Sequence, residues 1–170
     1  VVTREPGGTA VAESVREVLK KDDSTIDALT ELLLMFSARS SHINEVIKPA
    51  IQEGSCVISD RFVDSSYAYQ GHGRGVCVEL IEHLDKNVCG EYQPDIVILL
   101  TCPVDVALSR MHSRGENIDR IEKESIEFFE RVQRGFLERA NNNKKYIIIN
   151  ANQSLQSVSS ELEKSLRCLL

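Results

Sequence analysis

Four short runs rich in β-branched residues constrain this chain most: Val1 to Thr3, Cys56 to Ser59, Ile96 to Leu100 and Tyr146 to Ile149. Each is continuous in apolar character rather than alternating, which predicts strands buried on both faces. Between them lie apolar residues at helical spacing: Val11, Val15, Val18 and Leu19, then Leu29, Leu32, Leu33 and Phe36, and later Ile121, Ile126, Phe129, Val132, Phe136 and Leu137. Strand and helix therefore alternate, and that order predicts an α/β fold: a parallel sheet covered by helices on both faces, with right-handed crossovers. With no repeat, low-complexity tract or linker, residues 1–170 read as one domain. Thr9, Asp64, Ser65 and Ser154 suit helix starts, Gly54 suits a left-handed helix end, and Pro49 inside an apolar helical pattern predicts a kink or short break.

Composition narrows the function classes. The chain has 170 residues, 42% of them hydrophobic, enough to bury a core. Its net charge of −6, with positive residues scattered along the chain, argues against a general nucleic-acid binder. The five cysteines are odd in number, widely spaced and never in a C-x-x-C pair, so neither a zinc site nor a disulfide framework is expected, and a reducing cytoplasm fits. No apolar run approaches the roughly 18 to 20 residues of a membrane span, and no signal peptide opens the chain. The histidines show no metal-ligand spacing and are assigned no chemistry.

In open parallel sheets ligands sit beyond the carboxyl ends of the strands. Two of the four ends carry unusual polarity: Thr3-Arg4-Glu5-Pro6-Gly7-Gly8-Thr9 and Asp60-Arg61-Phe62-Val63-Asp64-Ser65-Ser66. Thr101-Cys102-Pro103 and Asn150-Ala151-Asn152 are blander. An adjacent Asp-Arg joins a group able to hold Mg²⁺, directly or through water, to a planar fork that matches phosphate, though it suits a structural ion pair equally well. Pro-Gly-Gly is a turn whose backbone can approach a ligand closely, or simply a strand-to-helix connection. Arg16, two helical turns past Thr9, can reach back towards an anion or be a solvated surface residue. Phe36 and Arg39 share a helix face and can stack on and hydrogen-bond a base, or be a core ring beside an edge cation. Arg110, Arg114 and Arg120 form a basic segment able to close over a phosphoryl group, or a solvated loop. Together these features make the layout of a nucleotide-phosphoryl transferase.

Arg4-Glu5-Pro6-Gly7-Gly8-Thr9, Asp60-Arg61-Phe62, Asp64-Ser65-Ser66-Tyr67-Ala68-Tyr69-Gln70-Gly71, Gly73-Arg74-Gly75, Arg114-Gly115-Glu116 and Asp119-Arg120 resemble, in order and spacing, thymidylate kinase of the bacterial type. The resemblance runs from Val1 to the closing helix. It implies a P-loop nucleoside monophosphate kinase-like three-layer fold and Mg²⁺- and ATP-dependent phosphorylation of thymidine 5′-monophosphate to the diphosphate, in a cytoplasmic homodimer. By motif, Asp60 would lie near the metal and phosphates and Arg61 between donor and acceptor phosphates, while Arg16 would grip the acceptor phosphate. Ser65, Ser66 and Gln70 would meet the nucleoside, Arg39 the base, and Glu5 would line the acceptor site. Arg114 and Arg120 would belong to a lid around residues 110–122 that supplies a catalytic arginine. The family's stacking Phe precedes the base-reading Arg by four residues; that position is Met35 here, so the stack is assigned to Phe36, with Met35 as the softer alternative.

None of the nine glycines is followed by Lys, so no G-x-x-x-x-G-K-[ST] occurs. In the family that loop precedes the Arg-Glu-Pro-Gly-Gly segment, so its place is upstream of Val1, and the resemblance implies an amino-terminal segment beyond these residues. Without it the chain is expected to hold ATP phosphates poorly and its sheet to lack a central strand, exposing apolar neighbours. Two other functions share part of this layout. A deoxynucleoside kinase would need a general base for a hydroxyl acceptor, whereas Arg16 and Arg61 suit an acceptor already carrying phosphate. A non-catalytic nucleotide-binding remnant would bind without turnover.

Overall fold

A computed structural model describes residues 1–21, 25–113, 119–141 and 143–167. The strands are β1 (Val2–Arg4), β2 (Ile58–Asp60), β3 (Val97–Thr101) and β4 (Tyr146–Asn150), each within two residues of its expected position. Helices α1 (Ala10–Lys20), α2 (Ala28–His42) and α3 (Lys48–Gln52) lie between β1 and β2; α4 (Asp64–Ser66) and α5 (Val78–Val88) precede β3; α6 (Val104–His112) and α7 (Ile126–Ala140) precede β4; α8 (Leu155–Arg167) follows it. The fold is α/β, with parallel strands flanked by helices.

Among the described residues the strands form two parallel pairs, β1 with β2 and β3 with β4, rather than the one continuous, doubly covered sheet that their apolar character predicts, and agree with the expectation of a sheet lacking a central strand. Burial on both faces is consequently not achieved: Ile58 is 63% and Leu100 55% exposed, with Val2, Ile98 and Ile148 also open. An apolar run gains burial only where neighbouring elements cover it, and each pair has too few neighbours.

The main core lies beside β2. Leu32, Phe36, Ile43, Ile47, Val63, Tyr67, Ile81 and Cys89 pack together from α2, the segment after it, the turn after β2, and α5. Leu29 and Leu33, on the same apolar helix, stay exposed. A second cluster joins Ala68 to Phe128 and Val132 of α7. The two clusters meet along the π-helical segment Tyr67–Gly73, where Gly135 lets α7 approach closely: a Cβ there would lie 2.8 Å from the His72 ring.

Local signals mostly hold. The Thr9 hydroxyl caps α1 by accepting from the Ala12 N–H, Ser154 accepts from the Ser157 N–H, and Gly54 sits at φ +76°. Pro49 does not break the chain. The helix widens into a π-helical stretch, Ile43–Ile47, where the Lys48 N–H bonds back to the Ile43 carbonyl, and so absorbs the donor that proline lacks. Asp64 is not a cap: α4 follows Val63 with no side-chain cap. Its carboxylate instead accepts from Arg139 Nε at 2.9 Å and from the Tyr146 hydroxyl at 2.5 Å, fastening β4 and α7 to the turn after β2.

Candidate active site at the carboxyl ends of β1 and β2

The register places Arg4 opposite Asp60, so both polar segments leave the sheet together, and the Glu5 N–H bonds to the Asp60 carbonyl at 2.9 Å. The Glu5–Pro6 peptide is cis, and Gly7 and Gly8 follow at φ +152° and +86°. Glycine is needed at position 8, because a Cβ would lie 2.9 Å from both the His42 ring and Thr3 Oγ1. This turn sends Glu5 inward rather than to solvent.

Glu5 meets α2 there. Arg39 Nε donates to Oε2 at 2.8 Å and His42 Nδ1 lies 3.0 Å from Oε1, all three side chains being buried. A carboxylate can only accept, so Nδ1 carries the proton; in the neutral ring Nε2 then accepts from the Thr3 hydroxyl at 2.7 Å. His42, to which the sequence assigned no chemistry, is thus a direct partner of a predicted site residue. Arg39 extends the cluster by donating from Nη1 to Ser66 Oγ at 3.1 Å. Its Nη2 is buried with no hydrogen-bond partner.

Gln70 lies four residues beyond Ser66, fully buried, with its Nε2 donating to Glu31 Oε1 at 2.8 Å and its Oε1 unpartnered. Glu31, on α2, also receives Arg74 and Arg120. Burial alone would push its carboxyl up, but the donors Gln70 and Arg120 and the charge of Arg74 outweigh burial and hold it below the ordinary carboxylate range.

Several expected site residues are therefore buried: Glu5, Arg39 and Ser66 form one hydrogen-bonded cluster, Gln70 joins Glu31 in a second one along α2, and Ser65 is buried as well. Arg16 reaches back as its spacing suggests, donating to the Pro6 carbonyl at 3.1 Å. Arg61 is exposed and left-handed at φ +67°, an uncommon conformation for a non-glycine residue, with Ser59 Oγ donating to its carbonyl at 2.7 Å and the Tyr69 ring 5.2 Å from its guanidinium carbon. Asp60 is exposed beside it.

Two residues are used differently. Phe36 belongs to the core, and the Arg39 guanidinium covers one face of its ring at 4.7 Å, so that face props Arg39 and is not open to a base; Met35 is only half-buried. Arg120, expected over the phosphates, holds Glu31 and the Leu19 carbonyl instead. Arg114 lies outside the described residues.

Among the described residues no three His, Cys, Asp or Glu side chains gather to hold a metal. No described helix is long and apolar enough to cross a membrane. The other strand ends are plainer: Arg110 donates to the Ala151 carbonyl and Gln133 to the Cys102 carbonyl.

A sequence model of the family described as thymidylate kinase matches residues 1–162. A thymidylate kinase from Marinomonas sp. is 45% identical over 168 residues, covering 98% of this chain and 79% of the relative. One from Nitrosospira multiformis is 47% identical over 170 residues, covering 98% and 81%. Among solved structures, thymidylate kinase from Ehrlichia chaffeensis superposes with a TM-score of 0.76 at 34% identity, covering 98% of this chain and 79% of that one.

Proposed function

Because the chain belongs to the thymidylate kinase family, whose members transfer a phosphoryl group from ATP to thymidine 5′-monophosphate, we propose how its own residues divide that task. The observation that carries the reading is that two of the three buried unpartnered side-chain atoms among the described residues, Arg39 Nη2 as donor and Gln70 Oε1 as acceptor, belong to predicted site residues; the third, Arg74 Nη2, lies 3.3 Å from the Glu31 carboxylate. Buried polar atoms are nearly always paired, so an orphan donor and an orphan acceptor on two predicted site residues suit a ligand that supplies the partners. Arg39 and Gln70 read the base, Ser65 and Ser66 flank the nucleoside, and Glu5 holds Arg39 in place. Arg16 takes the acceptor phosphate, supported by its return to the Pro6 carbonyl. Arg61 bridges the phosphates; its exposed guanidinium on a left-handed backbone supports that role.

Phosphoryl transfer asks a protein mainly for alignment and charge neutralisation, which guanidinium forks on rigid turns supply. Asp60 is a single exposed carboxylate. It suits Mg²⁺ taking its remaining ligands from phosphate and water, since that ion seldom uses an all-protein cage. When bound, the metal would neutralise charge on the phosphate oxygens. The segment around 110–122 acts as the lid, anchored where Arg120 donates to Glu31 and to the Leu19 carbonyl. We also propose a homodimer, supported by exposed Val11 and Val18 on α1 beside exposed Leu29 and Leu33 on α2, and a cytoplasmic location, supported by the free thiols of Cys56, Cys77, Cys89 and Cys102.

The test uses the full natural protein with ATP and either thymidine or its monophosphate. Turnover of the monophosphate alone is expected. Turnover of thymidine would favour a nucleoside kinase, and binding without turnover would favour a remnant.

A further inference from the structure

The amide of Gln70 can turn either its NH₂ or its oxygen towards a ligand, and the two orientations fill the same space. Which one faces outward decides what the site can recognise. Here the choice is made by Glu31, 1% exposed on α2. Its carboxylate accepts from Gln70 Nε2 at 2.8 Å and Arg74 Nε at 3.4 Å on Oε1 and from Arg120 Nη2 on Oε2, and Arg74 Nη2 adds a charge 3.3 Å from Oε2 without a hydrogen bond. Surrounded by two guanidinium groups, the carboxylate is ionised and has no proton to give. It accepts only, so the amide must present its NH₂ to Glu31 and its oxygen to the opposite side.

Glu5 does the equivalent for Arg39. With Nε on Glu5 and Nη1 on Ser66, the remaining Nη2 can act only as a donor. Gln70 thus offers one fixed acceptor and Arg39 one fixed donor. An imide pyrimidine, thymine or uracil, complements both, with N3–H for the acceptor and C4=O for the donor. Cytosine presents the reverse, a bare N3 and an amino group, and would leave two buried polar atoms unpaired or opposed. Glu31 and Arg39 lie eight residues apart on α2, about 80° around and about 12 Å along the helix, and address Gln70 and Ser66, four residues apart on the facing segment.

We infer that Glu31 is a specificity-determining positioning residue: by locking the Gln70 amide with its oxygen outward, it makes the base site accept imide pyrimidines and reject aminopyrimidines. The inference rests on the reading that Arg39 and Gln70 face the base. A site that hydrogen-bonds its substrate in a buried setting discriminates far more strongly than one that only measures shape, so loss of the lock has a large readout.

The experiment compares kcat/KM for thymidine and deoxycytidine monophosphates in the full natural protein. In Glu31→Gln the new side chain can offer either an oxygen or an NH₂, so the Gln70 amide is free to turn. The preference for thymidylate should then narrow by about tenfold or more, through a higher KM for thymidylate and a lower one for the cytidine nucleotide. Glu31→Asp, which remains an acceptor only, should keep most of the preference. A merely structural role would slow both substrates alike, and an unchanged ratio in Glu31→Gln overturns the inference. Should Glu31→Gln not fold, the Gln70 side-chain NH₂ resonances of the unsubstituted protein decide the matter. Slow exchange and little shift on adding thymidine monophosphate support the lock; a large shift shows the NH₂ facing the nucleotide and overturns it. Gln70→Ala separates the two levels: normal thymidylate binding in that variant would remove the reading of the site itself, whereas weakened binding with an unchanged Glu31→Gln ratio would remove only the role of Glu31.

Discussion

The two strand pairs are built on opposite plans. Around β1 and β2, charged groups are drawn inside: Glu5, Glu31, Arg39 and His42 are all buried and each has named partners. Around β3 and β4 the interior is thin. β3 has no buried residue, β4 only Ile149, and neither α6 nor α8 contributes one. Burying ions is costly unless every one is hydrogen-bonded, so a fold places such a network where it must hold groups in fixed orientation. The difference fits the proposal that recognition uses the first pair, to which Asp64 fastens β4 and α7.

The comparison breaks most visibly at Arg61. Removing a charge-assisted fork that acts on transferring phosphate should lower kcat by about 10³-fold or more in Arg61→Ala. Because Arg61 is exposed, its far-ultraviolet circular dichroism and melting should change little. Near-normal turnover would show that the chemistry lies elsewhere.

Arg39→Ala sharpens the contrast in stability. Truncation leaves the Glu5 carboxylate buried with His42 alone, and breaking a buried pair from one side costs about 3–5 kcal/mol. Urea denaturation should therefore show a large drop in midpoint, together with loss of thymidine monophosphate binding. A loss below about 1 kcal/mol would mean that water reaches Glu5.

How much of this was legible follows the same division. The polar strand ends and the Thr9 cap rest on local spacing or short motifs, and they hold, while Arg16 turns back to the Pro6 carbonyl. Glu31 and His42 were not legible as partners, since their contacts join residues about forty positions apart and a charged residue on a helix ordinarily faces solvent. One signal was available: Glu31, Arg39 and His42 form a polar stripe on an otherwise apolar helix. Phe36 misled because a ring near an arginine suits stacking on a ligand and propping the arginine equally well, and only the packing distinguishes them. The separation into two pairs was also beyond periodicity, which reports how apolar a strand is but not whether neighbours cover it.

The fastening between the pairs gives a smaller effect. Tyr146→Phe removes one of two donors to Asp64 while Arg139 remains, so the loss should be about 1 kcal/mol at neutral pH. Burial above all, then the Asp64 carboxylate, pushes the Tyr146 phenol above its ordinary value of 10.0. The folded protein therefore keeps this proton where the unfolded chain releases it. The stabilisation is complete below pH 10 and declines as pH rises beyond it, so wild type should lose stability there more steeply than Tyr146→Phe. Equal alkaline slopes in pH-dependent denaturation would show that the hydroxyl is not fastened in solution.

The smallest effect belongs to an ion pair on the outside of the same polar turn. Arg4 Nη2 lies 2.9 Å from Glu13 Oε1, close to the 2.8 Å between Arg39 and Glu5, yet the side chains are 54% and 42% exposed. Water screens the pair, and Glu13 keeps a second donor in the Gly8 N–H, the largest influence holding its carboxyl below the ordinary range. Arg4→Ala should consequently change stability by less than about 0.5 kcal/mol, and raising salt to 1 M should erase the difference. Set beside Arg39→Ala, it separates geometry from burial, since the two pairs have similar distances and differ in solvent. A loss in Arg4→Ala approaching that of Arg39→Ala would mean the turn itself depends on Arg4, and the contrast between buried and exposed charge would not account for how this region is held.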